Sequence, residues 1–248
     1  MSGRRAVARA LAGVACAAGV ACAPDADDRT GHDARGGHAE HADHAARPEE
    51  PEAPPLLFEL PAAGSYALPP IDAVGDHVLT RSDGTREGVL ALAPDQCAVV
   101  SFVYLHCSDA SGCPLVLETL RRADRALAAR DDLAARVRLA TVSFDPARDT
   151  PAALADMRAQ LAPKTDWRFF TATDEAELEP VLRDFGQDAV PLLTAGGENA
   201  GIVRHVAKVF LVDATGAVRN VYSSGFLDHR LLVRDVETLL QAAEGRAQ

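Results

Sequence analysis

The chain has 248 residues, 48% of them hydrophobic, which suffices for one ordinary domain with a packed core plus additional segments. Its 36 acidic and 25 basic residues give a formal net charge of -11, which argues against nucleic acid as a partner, because phosphate backbones call for clustered Lys and Arg. Of five cysteines, Cys16 and Cys22 sit in an N-terminal apolar segment and only Cys97, Cys107 and Cys113 remain for the folded part, too few for a disulfide scaffold.

The N-terminus reads as an address. Arg4, Arg5 and Arg9 precede a small, apolar stretch over residues 10–23. That stretch is shorter than the roughly 20 residues a bilayer span needs, and the pattern is that of an export signal over residues 1–23. Gly-Val-Ala-Cys occurs twice, ending at Cys16 and at Cys22. Each copy resembles a bacterial lipoprotein cleavage site, with glycine in place of the usual leucine. Cys22 leaves the longer apolar region and is the expected lipid anchor; plain signal cleavage, discarding both cysteines, is the alternative. Residues 24–55 are polar and low in complexity, and cannot bury enough surface to offset their ordering entropy. They form the expected disordered linker. Within it His32, His38, His41 and His44 stand beside Asp33, Glu40 and Asp43, a composition that suits capture of Cu, Zn or Ni, or else a solvated spacer.

The folded domain is expected over residues 56–248. Residues 64–93 carry turn signals such as Ser82-Asp83-Gly84 and predict a short hairpin. Residues 98–105 form a continuous apolar run, hence a buried strand. Pro114 opens a helix in which Val116, Leu120, Ala123 and Leu127 fall at helical spacing. Residues 137–144 predict a second buried strand, and Thr150 followed by Pro151 an N-cap with proline at the first helical position. A further strand is expected to start at Phe169-Phe170. Asp174 with Glu177 forms a capping box for a helix to about Phe185. Residues 207–212 and 217–222 read as strands joined by the turn Asp213–Gly216. Asp228 caps a last helix with Leu232, Val236, Leu239 and Leu240 on one face. Strands alternating with helices imply parallel pairing, and the closing hairpin adds an antiparallel edge. The fold class is therefore α/β, a central mixed sheet flanked by helices, thioredoxin-like, with an insertion at residues 186–205 before the late strand.

Cys107 and Cys113 lie between the first buried strand and its helix, at the carboxyl end of a strand where sites form in open α/β sheets. Cys113 precedes Pro114 at the helix N-terminus, where unpaired N–H groups and the helix dipole favour a thiolate. Gly112 is expected to let the loop turn sharply. Two adjacent thiols can form a disulfide or bind a soft metal such as Cu(I); an inert structural bridge is the plainer reading of the pair.

Three stretches carry a family resemblance. Phe102-Val-Tyr-Leu-His-Cys107, with Cys113-Pro114, resembles the metal-binding motif of the Sco/SenC copper proteins. Val142-Ser-Phe-Asp145-Pro-Ala-Arg-Asp149-Thr-Pro151 is similar to that family's strand-to-helix signature. His205-Val-Ala-Lys-Val-Phe-Leu-Val-Asp213 resembles the segment in which the family places a ligand histidine before a late strand. The similarity spans roughly residues 64–243. It implies a thioredoxin-like domain, copper held as Cu(I) or Cu(II) by Cys107, Cys113 and His205, and a role in delivering copper to, or reducing thiols of, the dinuclear copper site of cytochrome c oxidase. The expected partner is the oxidase copper-site subunit or another copper carrier, met in the periplasm or at the outer face of the cytoplasmic membrane. The family commonly has three residues between its cysteines; here there are five.

The competing function is a periplasmic thiol–disulfide oxidoreductase cycling Cys107 and Cys113. The usual oxidoreductase signature has two residues between the cysteines, and His205 favours metal. A peroxidase would want a threonine placed before Cys107, and none stands there. His106 adjoins Cys107 but would point to the opposite side if the strand continued. His77 and His229 read as surface or capping residues, Cys97 as an inert core thiol, Trp167 as core, and Asp145 and Asp149 as residues that fix their loop and cap the helix.

Overall fold

A computed structural model describes residues 53–56, 58–107, 109–197 and 199–247, and the unit Pro55–Gln248 holds every element named below. The export signal, Cys16, Cys22 and the four linker histidines lie outside the described residues. Among the described residues no helix is long and apolar enough to cross a membrane.

The centre of the molecule follows from the two apolar runs. Strands β4 (Cys97–Val103) and β5 (Val137–Ser143) are buried at every residue and pair in parallel. Strands buried on both faces read as continuous apolar segments, which is why these two were legible. Their few polar side chains are satisfied internally: Ser101 and Thr141 share a hydroxyl contact at 2.9 Å, and the Trp167 indole N–H donates to Thr141 at 2.9 Å. Trp167 is core, as expected, on β6 (Asp166–Thr171), which pairs in parallel with β5. Phe169 and Phe170 thus end this strand rather than start it. It begins at Asp166 because that carboxylate meets Arg138 of β5.

The remaining strands are β1 (Asp72–Ala73), β2 (Val78–Arg81), β3 (Arg86–Gly88), β7 (Ala189–Leu193), β8 (Asn199–His205), β9 (Lys208–Asp213) and β10 (Ala217–Ser223). The main sheet runs β1-β10-β9-β4-β5-β6-β2-β3. β9 lies antiparallel to β4, and β10 antiparallel to β9. The expected hairpin is β2–β3, attached antiparallel to β6, whereas β1, from the same N-terminal stretch, closes the opposite edge on β10. The β9–β10 turn needs Gly216, whose φ is 82° and where a Cβ would stand 2.5 Å from the Val74 carbonyl oxygen.

Helices α1 (Cys113–Ala128), α2 (Asp131–Ala134), α3 (Pro151–Leu161), α4 (Glu175–Asp184) and α5 (His229–Ala247) flank the sheet. α1 buries Val116, Leu120, Ala123 and Leu127, and packs on α5, which buries Leu232, Val236, Leu239 and Leu240. Thr150 caps α3 by accepting from Ala153 N–H, and Asp174 caps α4 by accepting from Glu177 N–H. Asp228 accepts from Arg230 N–H at the start of α5. The short α2 has no counterpart in the periodicity. The architecture is a mixed, helix-flanked, thioredoxin-like sheet. The insertion is a separate two-stranded ribbon, β7 with β8, which presents Val190, Leu192, Ile202 and, just past its end, Val206 to solvent.

Candidate metal site

Three elements converge at the carboxyl end of β4. The strand stops at Val103, two residues earlier than expected, because the Leu105 N–H turns away to donate to Asp149 Oδ2 at 3.0 Å. The same oxygen accepts from the Ser143 hydroxyl at 2.6 Å, and Ser143 accepts from Asp145 N–H at 3.0 Å. Asp149 therefore clamps the loop after β4 to the end of β5 and, contrary to expectation, does not cap α3; Thr150 does. Burial of Asp149 raises its pKa above 3.8.

Past this clamp the chain turns. Cys107 N–H donates to the Tyr104 carbonyl at 3.3 Å, and Gly112 N–H donates to the Asp109 carbonyl at 2.9 Å. Gly112 has φ -98° and ψ -122°. Glycine there also permits close approach, because a Cβ would lie 3.3 Å from Asp109 O and 3.5 Å from Cys107 Sγ. Cys113 begins α1 and is buried, while Cys107 is half-buried. Both are free thiols, as is Cys97, fully buried in β4.

The ribbon brings the third group. His205 ends β8, and its Nδ1 lies 3.0 Å from the Val203 carbonyl oxygen. A carbonyl only accepts, so Nδ1 carries the proton and Nε2 offers its lone pair. That Nε2 lies 3.7 Å from Cys113 Sγ across 92 residues of sequence. Phe144 and Tyr104 hold the ring, with centroids 4.7 Å and 5.7 Å from it. Cys107, Cys113 and His205 offer ligand atoms that all lie within 4.8 Å of one another, and form the one such group among the described residues. Metal bonds of about 2.1–2.3 Å place three ligand atoms around one ion about 3.6–4.0 Å apart, so the trio meets on an ion after a closure of up to about 1 Å. Two soft sulfurs and an imidazole suit copper.

The electrostatics overturn one expectation. Burial pushes the Cys113 thiol up to about 12, and the neighbouring Cys107 adds to the rise. Backbone hydrogen bonds from Tyr104 and from Cys113 itself pull the other way but are outweighed. The helix N-terminus therefore does not make Cys113 a resting thiolate; a cation has to displace its proton.

By sequence, residues 70–241 match SCO1/SenC. The chain belongs to the SCO1/SenC family. Solved structures agree on the fold. Arabidopsis thaliana ScoI with copper bound is 21% identical, covering 68% of this chain and 99% of that one, with a TM-score of 0.57. A SCO1/SenC family lipoprotein from Bacillus anthracis is 20% identical over 68% and 96% of the two chains, TM-score 0.57. BsSco, a member of the Sco family of cytochrome c oxidase assembly proteins with a disulfide switch, is 19% identical over 70% and 96%, TM-score 0.52. No curated protein matches the chain.

Within this SCO1/SenC site the other candidates fall away. His106 is exposed on the turn after the strand and stands outside the trio. His77 bonds Asp184 at 2.8 Å, far along the chain from the cysteines. His229 opens α5 beside Asp228, and its burial lowers its pKa. The sequence reading missed Tyr104, Phe144 and the Val203 carbonyl. The first two were hidden in apolar runs that read as core, and a backbone carbonyl has no side-chain signature at all.

Proposed function

We propose that this chain is an exported copper metallochaperone in which Cys107, Cys113 and His205 hold copper as cargo. It passes copper to, or reduces thiols of, the dinuclear copper site of cytochrome c oxidase. The observation that carries the reading is the convergence of the two sulfurs and His205 Nε2 within 4.8 Å, in a family whose solved members include copper-bound forms. Thiolates favour Cu(I), while the imidazole makes Cu(II) tolerable, so one site holds the ion across a redox change. Half-buried Cys107 is the edge at which an incoming ligand can replace the protein's own, and buried Cys113 is the anchor. Export fits residues 1–23 as a signal, with Cys22 as lipid anchor, and residues 24–55 as the tether to a domain of residues 56–248.

The test is anaerobic titration of the reduced protein with Cu(I) and Cu(II), beside Cys107→Ser, Cys113→Ser and His205→Ala. Removing outer-shell partners of a metal already costs 10–100-fold, so each cysteine variant should weaken Cu(I) at least about 100-fold, and His205→Ala should weaken Cu(II) more than Cu(I). Three variants that bind as the parent does would end this reading. A second reading, thiol–disulfide exchange, is favoured by the two free thiols of unequal exposure. Cys107 would attack a partner disulfide, and Cys113 would then close an intramolecular disulfide, two thiols giving up two electrons and two protons to the partner. Incubating copper-loaded or copper-free reduced protein with the apo, oxidised copper-site domain separates the two: metal transfer supports the chaperone, and copper-independent disulfide reduction supports the exchange.

A further inference from the structure

The ribbon that carries His205 stands apart from the main sheet as two strands only, and two strands by themselves are marginally stable in water. Its root is built on the end of α4. Gly186, at φ 54°, donates its N–H to the Arg183 carbonyl at 3.0 Å, and Gln187 donates its N–H to the Leu182 carbonyl at 2.8 Å. This pair of bonds closes the helix around a left-handed glycine, and the residue in the place of Gln187 is then commonly apolar, packing back on the last turn. Here it is an amide, 3% exposed. Its Nε2 donates to the Val206 carbonyl at 3.0 Å and to the Asp188 carbonyl at 3.2 Å. Both oxygens only accept, so the nitrogen is the end that faces them. Its Oε1 is buried with no partner among the described residues, a cost that an apolar side chain of this size would avoid. Capping and packing therefore do not explain the amide; the two donated bonds do.

We propose that Gln187 is a positioning residue: its amide ties the two legs of the ribbon at their root and so holds His205 Nε2 within reach of the cysteines. The inference rests on the copper reading above. Asp188 leads into β7 and Val206 follows β8, and the next residues inward, Ala189 and His205, are register partners. The amide therefore spans the ribbon one residue from the ligand, on the carbonyl that follows His205. Val206 is 57% exposed, so its carbonyl, not its side chain, anchors this position. Lys208 adds an exposed tie across the same root, from Nζ to the Gly186 carbonyl at 2.7 Å. Phe144 and Tyr104 meet the imidazole itself; Gln187 sets the backbone that carries it. Cys107 and Cys113 belong to the loop after β4 and to α1, outside the ribbon. Loosening the root therefore moves the imidazole and leaves the sulfurs where they are. The imidazole is the donor that makes Cu(II) tolerable, whereas thiolates hold Cu(I), so Gln187 governs Cu(II) more than Cu(I).

The experiment compares the parent, Gln187→Met, His205→Ala and the double variant as full-length mature proteins. Methionine keeps the length of the side chain and removes both donors. The carbonyls it releases belong to the exposed residues Asp188 and Val206, where water can replace the amide, so the fold should survive. Gln187→Leu, which also lacks the donors, is the second variant and is held to the same outcomes. Anaerobic competition titrations give the Cu(I) and Cu(II) affinities. Losing a residue that orients a ligand costs about 10–100-fold in metal affinity. Gln187→Met should therefore lower Cu(II) affinity about tenfold and Cu(I) affinity less than about threefold. In the His205→Ala background the same change should do nothing further, because positioning acts only through the imidazole. In the copper-free protein, hydrogen exchange should quicken over residues 199–206 while β4 and β5 keep their protection. Equal losses of Cu(I) and Cu(II), no loss of either, an undiminished effect without His205, or unchanged exchange over the ribbon would each overturn the role of Gln187 while leaving the copper site standing. A parent that binds no copper would instead overturn the copper reading itself.

Discussion

The burial of Cys113 dictates how copper affinity should vary with pH. Its side chain is 1% exposed, and loss of hydration, reinforced by Cys107, pushes its thiol from 9.0 up to about 12. Only the thiolate binds metal, so ligation by Cys113 releases one proton at every pH below about 12. Affinity must therefore rise with pH, by a factor of ten per unit from this thiol, worth about 1.4 kcal/mol per unit. Between about pH 6 and about pH 9 that amounts to roughly 1000-fold, or about 4 kcal/mol. An exposed thiol would begin to level off near its ordinary value of about 8.5. The assay is anaerobic competition with a chromophoric Cu(I) chelator whose own pH dependence is known. Cys107→Ser isolates Cys113 as the remaining thiol of the site. It removes the neighbour's contribution to the shift but keeps burial, the larger cause. The logarithm of the dissociation constant should fall with unit slope through about pH 9. A slope that flattens below about pH 8 would show that Cys113 is hydrated, and would refute the argument that burial outweighs the helix N-terminus.

Two further predictions concern stability of the copper-free protein. Cys97 is fully buried and burial pushes its thiol up to about 12. The unfolded chain releases that proton from about pH 9 while the folded one keeps it, so stability is intact below about pH 9 and declines by about 1.4 kcal/mol per unit above it. Cys97→Ala should make this alkaline decline shallower in urea melts, with an undiminished slope counting against it. Asp149 has a folded pKa raised by burial, so its contribution is greatest below 3.8 and diminishes as pH rises through and beyond that value. Its Oδ2 accepts two hydrogen bonds, and its buried Oδ1 has no partner among the described residues. Asparagine retains the accepting oxygen without the charge, so Asp149→Asn should cost less than about 1 kcal/mol near pH 7, against about 1–3 kcal/mol for Asp149→Ala. Equal losses in chemical denaturation would show that the charge, not the acceptor, holds the loop.

How far the sequence spoke for this fold depends on how local each signal was. β4 and β5 were legible because strands buried on both faces need unbroken apolar runs. The faces of α1 and α5, the caps at Thr150, Asp174 and Asp228, and the Asp213–Gly216 turn all rest on neighbours within a few residues. The ribbon β7–β8 was not legible, since Val190, Leu192, Leu193 and Ile202 are exposed and its pairing is not set by burial pattern. Nor was the early end of β4, which depends on an Asp149 carboxylate 44 residues away.

The same division runs through the site. The sequence by itself supplied the candidate donors, Cys107, Cys113 and His205, through the motifs that resemble the family's, because sulfur and imidazole chemistry belongs to the residue wherever it lies. Only the tertiary structure decided that His205 closes 92 residues of separation to reach Cys113, that Tyr104 and Phe144 hold its ring, and that burial raises the Cys113 thiol pKa. Distance and hydration are set by the packed surroundings: a helix N-terminus read from sequence lowers a thiol pKa, and the burial that outweighs it exists only once the chain has folded.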